Sequence, residues 1–302
     1  MVPFRALSVL PAVVALLMAG APTGQPLAAQ VPATQTVPTQ APAEPTPAPP
    51  QVQAPPAQPA LSRAEIEQFL KTARIIRSRS VPKGVTAPVR VTLSNGTLEH
   101  DAVFSWVDER RAVMRFSSGR TEIDFVDYYG YSIAAYRLAV VLGLDDLIPV
   151  HVERTWNQDR GALSWWIDAK MDEGQRLKEN LRAPDPDAWN RQMYRMRVFT
   201  QLIGDTDRNV GNTLITAEWK AYMIDFTRAF RRHKEPLTVK DLVKCDRNLL
   251  ASLRSLTEEQ VREATKPYVG RAEIAGLMAR RDAIVKLFEQ RAAEQGEAAV
   301  FY

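Results

Sequence analysis

The chain has 302 residues, 45% of them hydrophobic, and a formal net charge of +4 at pH 7. This length allows one medium domain or two small ones, and the scattered charges, with no long block of one sign, do not predict nucleic-acid binding. Cys245 is the single cysteine, which excludes an intrachain disulfide, so the hydrophobic core alone must hold the fold together.

The N-terminal segment is predicted to be an export signal followed by a linker. Arg5 precedes an apolar stretch over residues 6–19 and then small residues, the pattern of a secretory signal peptide over residues 1–29. The apolar stretch is shorter than the roughly 20 residues of a spanning helix, although an uncleaved signal would form a membrane tether. We therefore expect an exported protein, periplasmic or extracellular. Residues 30–60, rich in Pro, Ala and Gln, are expected to form a disordered linker, either a spacer or filler.

The first part of the folded region, about residues 61–168, is predicted to be rich in strands. Ser62 and Glu65 form a capping box for a first helix. The Asn95-Gly96 turn between alternating segments is typical of a hairpin. The helices predicted here cover residues 63–76 and 131–142, and the strands cover residues 89–93, 102–107, 112–116, 150–156 and 162–167.

The second part, about residues 169–302, is predicted to be mainly helical. A helix over residues 187–203 leads into a loop, and two short strands follow over residues 213–216 and 221–224. Helices dominate from Val239 onwards. Strands first and helices second predict an α+β fold with two lobes, a strand-rich N-lobe and a helical C-lobe.

Three polar side chains, Asp207, Asn212 and Asp225, are candidates for a catalytic or metal-binding role. Asp207 begins the sequence Asp-Arg-Asn-Val-Gly-Asn, which ends at Asn212, and Asp225 follows an apolar strand. In phosphoryl transfer one carboxylate orients the attacking hydroxyl, while an amide oxygen and another carboxylate hold Mg²⁺ against the phosphates. The pattern therefore indicates a phosphotransfer site. The alternative is that these residues only form turns and N-caps, as Asp and Asn often do.

The residues around these candidates resemble a known family. The loop from Asp207 to Asn212 is similar to the Asp-Arg-His-x-x-Asn catalytic loop of phosphatidylinositol 3- and 4-kinases, and Ile224-Asp225-Phe226 is similar to their Asp-Phe-Gly metal motif. The run over residues 131–150 resembles bacterial members of this kinase-like group. The resemblance implies a bilobal protein-kinase-like fold, ATP as donor and Mg²⁺ as metal. It implies Asp207 as the catalytic base or orienting carboxylate, and Asn212 and Asp225 as metal ligands.

Several positions depart from the family pattern. Asn209 stands at the position of the family's His, and Thr227 at that of its Gly. Arg115 stands where a kinase has its strand lysine, so it is either a phosphate ligand or a surface residue. Ser132 occupies the position of the glutamate that pairs with this lysine, for which Glu122 or Asp127 would have to substitute.

Three further residues are candidates for contact with the nucleotide. By the same resemblance, Asn95 and Gly96 would lie over the phosphates, and Trp166 would stack on adenine at the connection between the lobes. Adjacent residues of a strand point to opposite faces, so at most one of Trp165 and Trp166 lines such a pocket. An ordinary hairpin turn and core packing are the alternatives.

The sequence leaves two main functions open. The first is an exported ATP- and Mg²⁺-dependent phosphotransferase with an unidentified acceptor. The second is a catalytically weak or inactive kinase-like domain that binds a nucleotide or a partner at the cell envelope, favoured by the departures above. A tethered structural protein is a third interpretation, supported by the Pro-rich segment only. No zinc or serine-hydrolase motif is found in the sequence.

Overall fold

The computed structural model describes residues 61–80, 88–117 and 119–302, so the predicted signal and linker over residues 1–60 lie outside the described part. The strands are β1 (Arg74–Ser80), β2 (Val89–Ser94), β3 (Glu99–Ser105), β4 (Asp108–Arg115), β5 (Thr121–Tyr128), β6 (His151–Trp156), β7 (Asp159–Trp165), β8 (Met171–Asp172), β9 (Thr213–Ile215) and β10 (Ala221–Met223). The helices are α1 (Arg63–Thr72), α2 (Tyr129–Val141), α3 (Glu173–Lys178), α4 (Pro186–Ile203), α5 (Arg247–Ser255), α6 (Glu258–Thr265), α7 (Arg271–Gln295) and α8 (Glu297–Val300). Within the described ranges, none of the helices has the length and apolarity that a membrane crossing requires.

The N-lobe is built on a five-stranded sheet with the order β1-β2-β3-β7-β6, in which all neighbouring strands are antiparallel. Val91 and Leu93 on β2, and Ala102 and Phe104 on β3, are buried, because alternate side chains of a strand share one face. Helices α1 and α2 both contact β6 and β7. Helix α2 also contacts α6, and this apolar helix is therefore the element that joins the N-lobe sheet to the helical part.

The C-lobe combines a three-stranded antiparallel sheet, β10-β9-β8, with the remaining helices. Helix α4 begins after the N-cap Asp185 and buries Phe199 and Leu202 on the side that meets α7. It ends at Gly204, whose φ of +60° is a conformation that glycine adopts without steric cost. A Cβ at this position would lie 2.8 Å from Cζ of Arg280, so the turn into the Asp207 loop requires glycine.

Strands β4 and β5 form a separate two-stranded hairpin inserted before α2. Val113 and Ile123 are paired across it and are 50% and 74% exposed. The sequence analysis predicted a strand over residues 112–116, within and just beyond β4, but none over β5, in which Ile123 and Phe125 alternate with Glu122 and Asp124 and the alternation ends at Val126.

Two further predictions differ from the structure. The first helix ends at Thr72, and Ile75 and Ile76 belong to β1, because Ile75 pairs with Leu93 of β2. Cys245 lies in an isolated bridge to Phe301 rather than in a helical segment; its predicted burial is confirmed.

Candidate functional site

A buried carboxylate organises the loop that follows α4. Asp205 is 4% exposed, and its Oδ1 accepts a hydrogen bond from the backbone N–H of Asp207 at 3.1 Å. Its Oδ2 accepts from Nε and Nη2 of Arg208 at 3.0 and 2.6 Å. Hydrogen bonds between ionised groups are short and strong, so Asp205 fixes the direction of the Arg208 side chain.

The guanidinium of Arg208 joins this loop to the segment that carries Asp225. Nη1 donates to the carbonyl oxygens of Asn212 at 2.9 Å and Ile224 at 2.7 Å, and Nη2 donates to that of Asp225 at 3.1 Å. The N–H of Ile224 donates to the carbonyl of Asn212 at 3.1 Å, which continues the pairing of β9 with β10. Asn212 and Asp225 are therefore held beside each other at the end of that hairpin.

The two amide side chains of the loop bond to Asp207. Nδ2 of Asn212 donates to the Asp207 carbonyl at 3.3 Å, so this contact leaves the Asn212 amide oxygen as an acceptor. Asn209 donates to the same carbonyl at 3.1 Å and accepts from the N–H of Gly211 at 2.9 Å. Asn209 thus closes the turn between Asp207 and Asn212.

Asp225 has an unusual backbone conformation that its neighbours hold in place. Its φ of +57° lies in the left-handed region, which residues other than glycine rarely adopt. Its Oδ1 accepts a hydrogen bond from the hydroxyl of Thr227 at 3.0 Å. The next residue, Phe226, donates its N–H to Oγ of Ser132 on α2 at 3.3 Å. Ser132 therefore anchors the Asp225 segment to α2.

Asp127, near the end of β5, adds a third carboxylate to this region. Burial raises the pKa of Asp127, and the charges of Asp225 and Asp207 raise it further, while Thr227 and Arg228 act in the opposite direction. Its Oδ1 is buried and lacks a hydrogen-bond partner among the described residues. The sequence indicated Asp127 only as a substitute ion-pair partner for Arg115, because nothing local shows that β5 ends beside Asp225.

Asp207 is affected by the same charges. Burial raises its pKa, and the carboxylates of Asp225 and Asp205 add to this, whereas Arg228 and Arg120 lower it. Neighbouring carboxylates that raise the pKa of Asp207 favour the uptake of a proton or a cation beside it.

The possible metal ligands are few. In the described ranges no group of three or more His, Cys, Asp or Glu side chains is arranged to hold a metal ion. Mg²⁺ keeps several waters and is usually bound through one or two carboxylates and the substrate phosphates. Asp225 with the amide oxygen of Asn212 fits such a sparsely liganded ion, and the unpartnered Oδ1 of Asp127 leaves negative charge beside it.

The arginine beside the carboxylates is Arg228, which the sequence did not single out. It is 6% exposed, and its Nη2 lies 2.5 Å from Oε2 of Glu122. Arg231 bonds the other oxygen of Glu122 at 2.5 Å, and Arg120 approaches Oε2 at 3.1 Å. Glu122 therefore ties the β4–β5 hairpin to the chain just after Asp225.

The predicted nucleotide contacts Arg115, Asn95 and Gly96 lie on β4 and in the β2–β3 turn. Arg115 is exposed at the end of β4, opposite Thr121. Asn95 accepts from the N–H of Leu98 at 2.8 Å, and Gly96 has a φ of +93°. These features close the β2–β3 turn, and a contact of these residues with phosphate stays a prediction.

Trp165 is the last residue of β7 and Trp166 follows it directly, and the two side chains have different surroundings. The ring of Trp165 stacks on His100 with 3.4 Å between centroids and meets Phe69 edge to face. Trp166 instead lines a pocket of about 400 Å³ at the connection between the lobes, together with Arg90, Asp168, Lys170 and Leu214. Trp166 therefore borders a cavity, and its predicted contact with a nucleotide stays a prediction.

A larger cleft, of about 950 Å³, is lined by residues of the β4–β5 hairpin, of α4 and of the loop that follows α4. Arg120, Glu122, Asp205, Arg208 and Arg231 are among the residues that line it. The cleft is therefore continuous with the charged groups that surround Asp207.

Comparison with known proteins gives little beyond the fold. Neither a family profile nor a curated protein sequence matches this chain. Among solved structures, a Helicobacter pylori proinflammatory kinase, CtkA, is similar with 12% sequence identity and a TM-score of 0.47, over 74% of this chain and 97% of that chain. A similarity of this size assigns neither a family nor an activity. The predicted fold class, α+β with a strand-rich N-lobe followed by a helical C-lobe, is confirmed by the order of elements, and the likeness of this fold to protein kinases stays a prediction.

Proposed function

We propose that this protein is a Mg²⁺-dependent phosphotransferase that moves the γ-phosphoryl group of a nucleoside triphosphate to a hydroxyl of an acceptor. ATP is the donor that the resemblance to phosphatidylinositol kinases implies. The observation that carries the proposal is the bonding of Arg208 to the carbonyls of Asn212, Ile224 and Asp225. It holds an amide, a carboxylate and the Asp207 loop together, which is the set that phosphoryl transfer needs.

In this proposal each side chain has one role. Asp207 accepts a hydrogen bond from the attacking hydroxyl of the acceptor. As the new O–P bond forms, Asp207 takes the hydroxyl proton, and the bond between the γ-phosphorus and the leaving nucleoside diphosphate breaks. A carboxylate with a raised pKa accepts a proton more readily. Asp225 and the amide oxygen of Asn212 would hold Mg²⁺, which neutralises charge on the phosphate oxygens. Arg228 balances the negative charge around Asp207.

The proposed setting is outside the cytoplasm. The signal-like residues 1–29 and the Pro-rich residues 30–60 support export, with a membrane tether if the signal is retained. Partners other than the nucleotide and the unidentified acceptor are not proposed.

One observation favours the alternative, a binding module with little or no catalysis. The hydroxyl of Thr227 donates to Oδ1 of Asp225 at 3.0 Å, so this oxygen is already engaged before a metal arrives. A metal would have to use the other oxygen or displace the hydroxyl, and binding would be weaker than with the glycine of the kinase motif.

Transfer of label from γ-labelled ATP tests the proposal. We expect autophosphorylation or labelling of an acceptor that needs Mg²⁺ and falls by about 100-fold or more in Asp207→Asn, the scale of a lost general base. Asp159→Asn, an exposed carboxylate at the start of β7, is the matched control.

A second measurement separates catalysis from binding. If Mg²⁺-ATP raises the melting temperature of the wild type but not of Asp225→Ala, and no label is transferred, the binding module is the correct function. If nucleotide with Mg²⁺ produces neither label nor a thermal shift in the wild type, phosphotransfer and nucleotide binding are both wrong.

A further inference from the structure

One carboxylate of the β4–β5 hairpin is bonded by three arginines. Nη2 of Arg228 lies 2.5 Å from Oε2 of Glu122, and Nη2 of Arg231 lies 2.5 Å from Oε1. Nη2 of Arg120 also approaches Oε2, at 3.1 Å. Three cations therefore share one anion, and two of them share one of its oxygen atoms.

Two of these arginines are buried, and their bonding is incomplete. Arg228 is 6% exposed, and its buried Nε has no hydrogen-bond partner among the described residues. The side chain of Arg231 is 12% exposed. Burial lowers the pKa of Arg231; Glu122 raises this pKa, and the charge of Arg228 lowers it further. A buried charge with an unmade hydrogen bond or a like-charged neighbour is costly, so the cluster would be stabilised by more negative charge than Glu122 provides.

The cluster is reached from the larger cleft, of about 950 Å³. Arg120, Glu122 and Arg231 line this cleft, whose walls contain seven arginines and five Asp or Glu residues. Arg228 also lowers the pKa of Asp127 and Asp207, so part of its charge is balanced by carboxylates that do not line the cleft. An anion that approaches through the cleft therefore meets a net positive wall.

The number of guanidinium groups matches a phosphate better than a carboxylate. Guanidinium groups bind both anions through paired N–H donors. A carboxylate has two oxygens and one charge, whereas a phosphate monoester has three terminal oxygens and a charge of about −1.5 to −2 at pH 7. Each of the three arginines would then bond an oxygen of its own, and more of their charge would be balanced.

We infer that Arg120, Arg228 and Arg231 form a binding site for phosphate, either free or as a monoester, and that Glu122 is the internal competitor that limits its affinity. The incoming phosphate takes the place of the carboxylate among the guanidinium groups, and Glu122 turns into the solvent of the cleft that it lines. This site goes beyond the proposed phosphotransfer, because it needs neither nucleotide nor Mg²⁺.

Calorimetric titration of the full chain with inorganic phosphate, without Mg²⁺ and at constant ionic strength, tests this inference. We expect Glu122→Gln to bind phosphate about tenfold more tightly than the wild type, since phosphate no longer displaces a charge-assisted hydrogen bond. Glu109→Gln is the matched control, because it removes the same charge from an exposed pair of the hairpin. Its phosphate affinity should stay within about twofold of that of the wild type.

The free and esterified forms of the ligand are distinguished by a parallel titration with glycerol 3-phosphate. Equal affinities would show that the phosphate group alone is recognised, and tighter binding of the ester would show that the cleft also contacts the alcohol portion. If Glu122→Gln does not fold in phosphate-free buffer, recovery of its melting transition with phosphate, but not with chloride at the same ionic strength, is the equivalent supporting result.

A substitution of Arg120 tests where the phosphate lies. The Arg120 side chain is 54% exposed, so its loss should leave the fold intact. In the Glu122→Gln background, Arg120→Gln should weaken phosphate binding about fivefold or more, as the loss of one charged hydrogen bond does. Arg110→Gln removes another arginine of the cleft, one that is paired with Asp108, and should change the affinity by less than about twofold.

Three results overturn the inference. Failure of both the wild type and Glu122→Gln to bind phosphate would show that the cluster is only structural. An equal gain of affinity in Glu122→Gln and Glu109→Gln would assign the effect to net charge. Unchanged affinity after Arg120→Gln would place the phosphate outside the cluster. Because nucleotide is absent from each titration, all three results leave the proposed phosphotransfer to be tested independently.

Discussion

The loop after α4 and the β4–β5 hairpin hold their charges in different ways. In the loop, the side chains of Asp205 and Arg208 are 0% and 14% exposed, and Arg208 also bonds three backbone carbonyls. In the hairpin, the side chains of the paired Arg110 and Asp108 are 57% and 50% exposed. Exposed pairs contribute little to stability, whereas a broken buried pair leaves an uncompensated charge. The loop is therefore positioned by its ion pair, and the hairpin pair is only a surface contact.

Glu122 is the exception within the hairpin. Its side chain is 17% exposed and bonds Arg228 and Arg231 of the segment after Asp225. This residue therefore makes the hairpin part of the site.

The largest expected effect is that of Arg208→Ala. The change leaves Asp205 buried without its cation and removes the bonds to Asn212, Ile224 and Asp225. We expect a loss of about 3–5 kcal/mol in the free energy of unfolding, measured by denaturant titration. Arg110→Ala is the matched control in the hairpin, and an equal loss in both variants would remove the contrast between the two regions.

The second-largest expected effect on the free energy of unfolding is that of Glu122→Gln. Arg228 would remain buried beside a neutral side chain, and we expect a loss of about 1–3 kcal/mol. Hydrogen exchange of β5 should become faster, because the hairpin is released from the segment after Asp225. Glu109→Gln, which affects an exposed pair with Arg111, should change neither quantity. Unchanged exchange in Glu122→Gln would show that backbone contacts alone dock the hairpin.

A pH dependence is expected from His233, which lies in the loop region close to Gly204. Burial and the charges of Arg280 and Arg231 lower the pKa of His233 to about 4. Because the folded-state pKa is below the ordinary value near 6.5, stability is retained above that pH and is lost as the pH falls towards 4.

The measurement is the free energy of unfolding of wild type and His233→Gln at several pH values between 7 and 4. We expect His233 to add a slope in the middle of this window that stays below the one-proton limit of about 1.4 kcal/mol per pH unit, since the ring is only half buried and solvent weakens the effect, and the variant lacks this slope. His151, whose pKa burial also lowers to about 4, keeps a similar slope in both proteins. Parallel curves for the two proteins would show that His233 does not titrate abnormally.

The smallest effect is expected from Arg115→Gln. Arg115 is exposed on β4, so the free energy of unfolding should change by less than about 0.5 kcal/mol. Calorimetry of Mg²⁺-nucleotide binding tests the predicted role of Arg115: a loss of affinity with stability intact would support it as a phosphate ligand, and an unchanged affinity would show that it is only a surface residue.

Much of the element order could be predicted from local patterns. The capping box at Ser62 and the Asn95-Gly96 turn lie where the sequence placed them. Errors arose where pairing partners decide the structure. Ile75 continues a helical spacing but is drawn into β1 by Leu93, and β5 is a strand because it pairs with β4.

The sequence by itself determined the α+β class and the spacing of Asp207, Asn212 and Asp225, since hydrophobic period and turn chemistry act over a few residues. Only the tertiary structure decided that Glu122 bonds Arg228 and Arg231, which are 106 and 109 positions away, and that Asp127 lies near Asp225. It also decided that Arg208, rather than a residue of the hairpin, ties the loop to the Asp225 segment. Contacts of this kind depend on which surfaces the packed core brings together, and no local pattern of side chains encodes that.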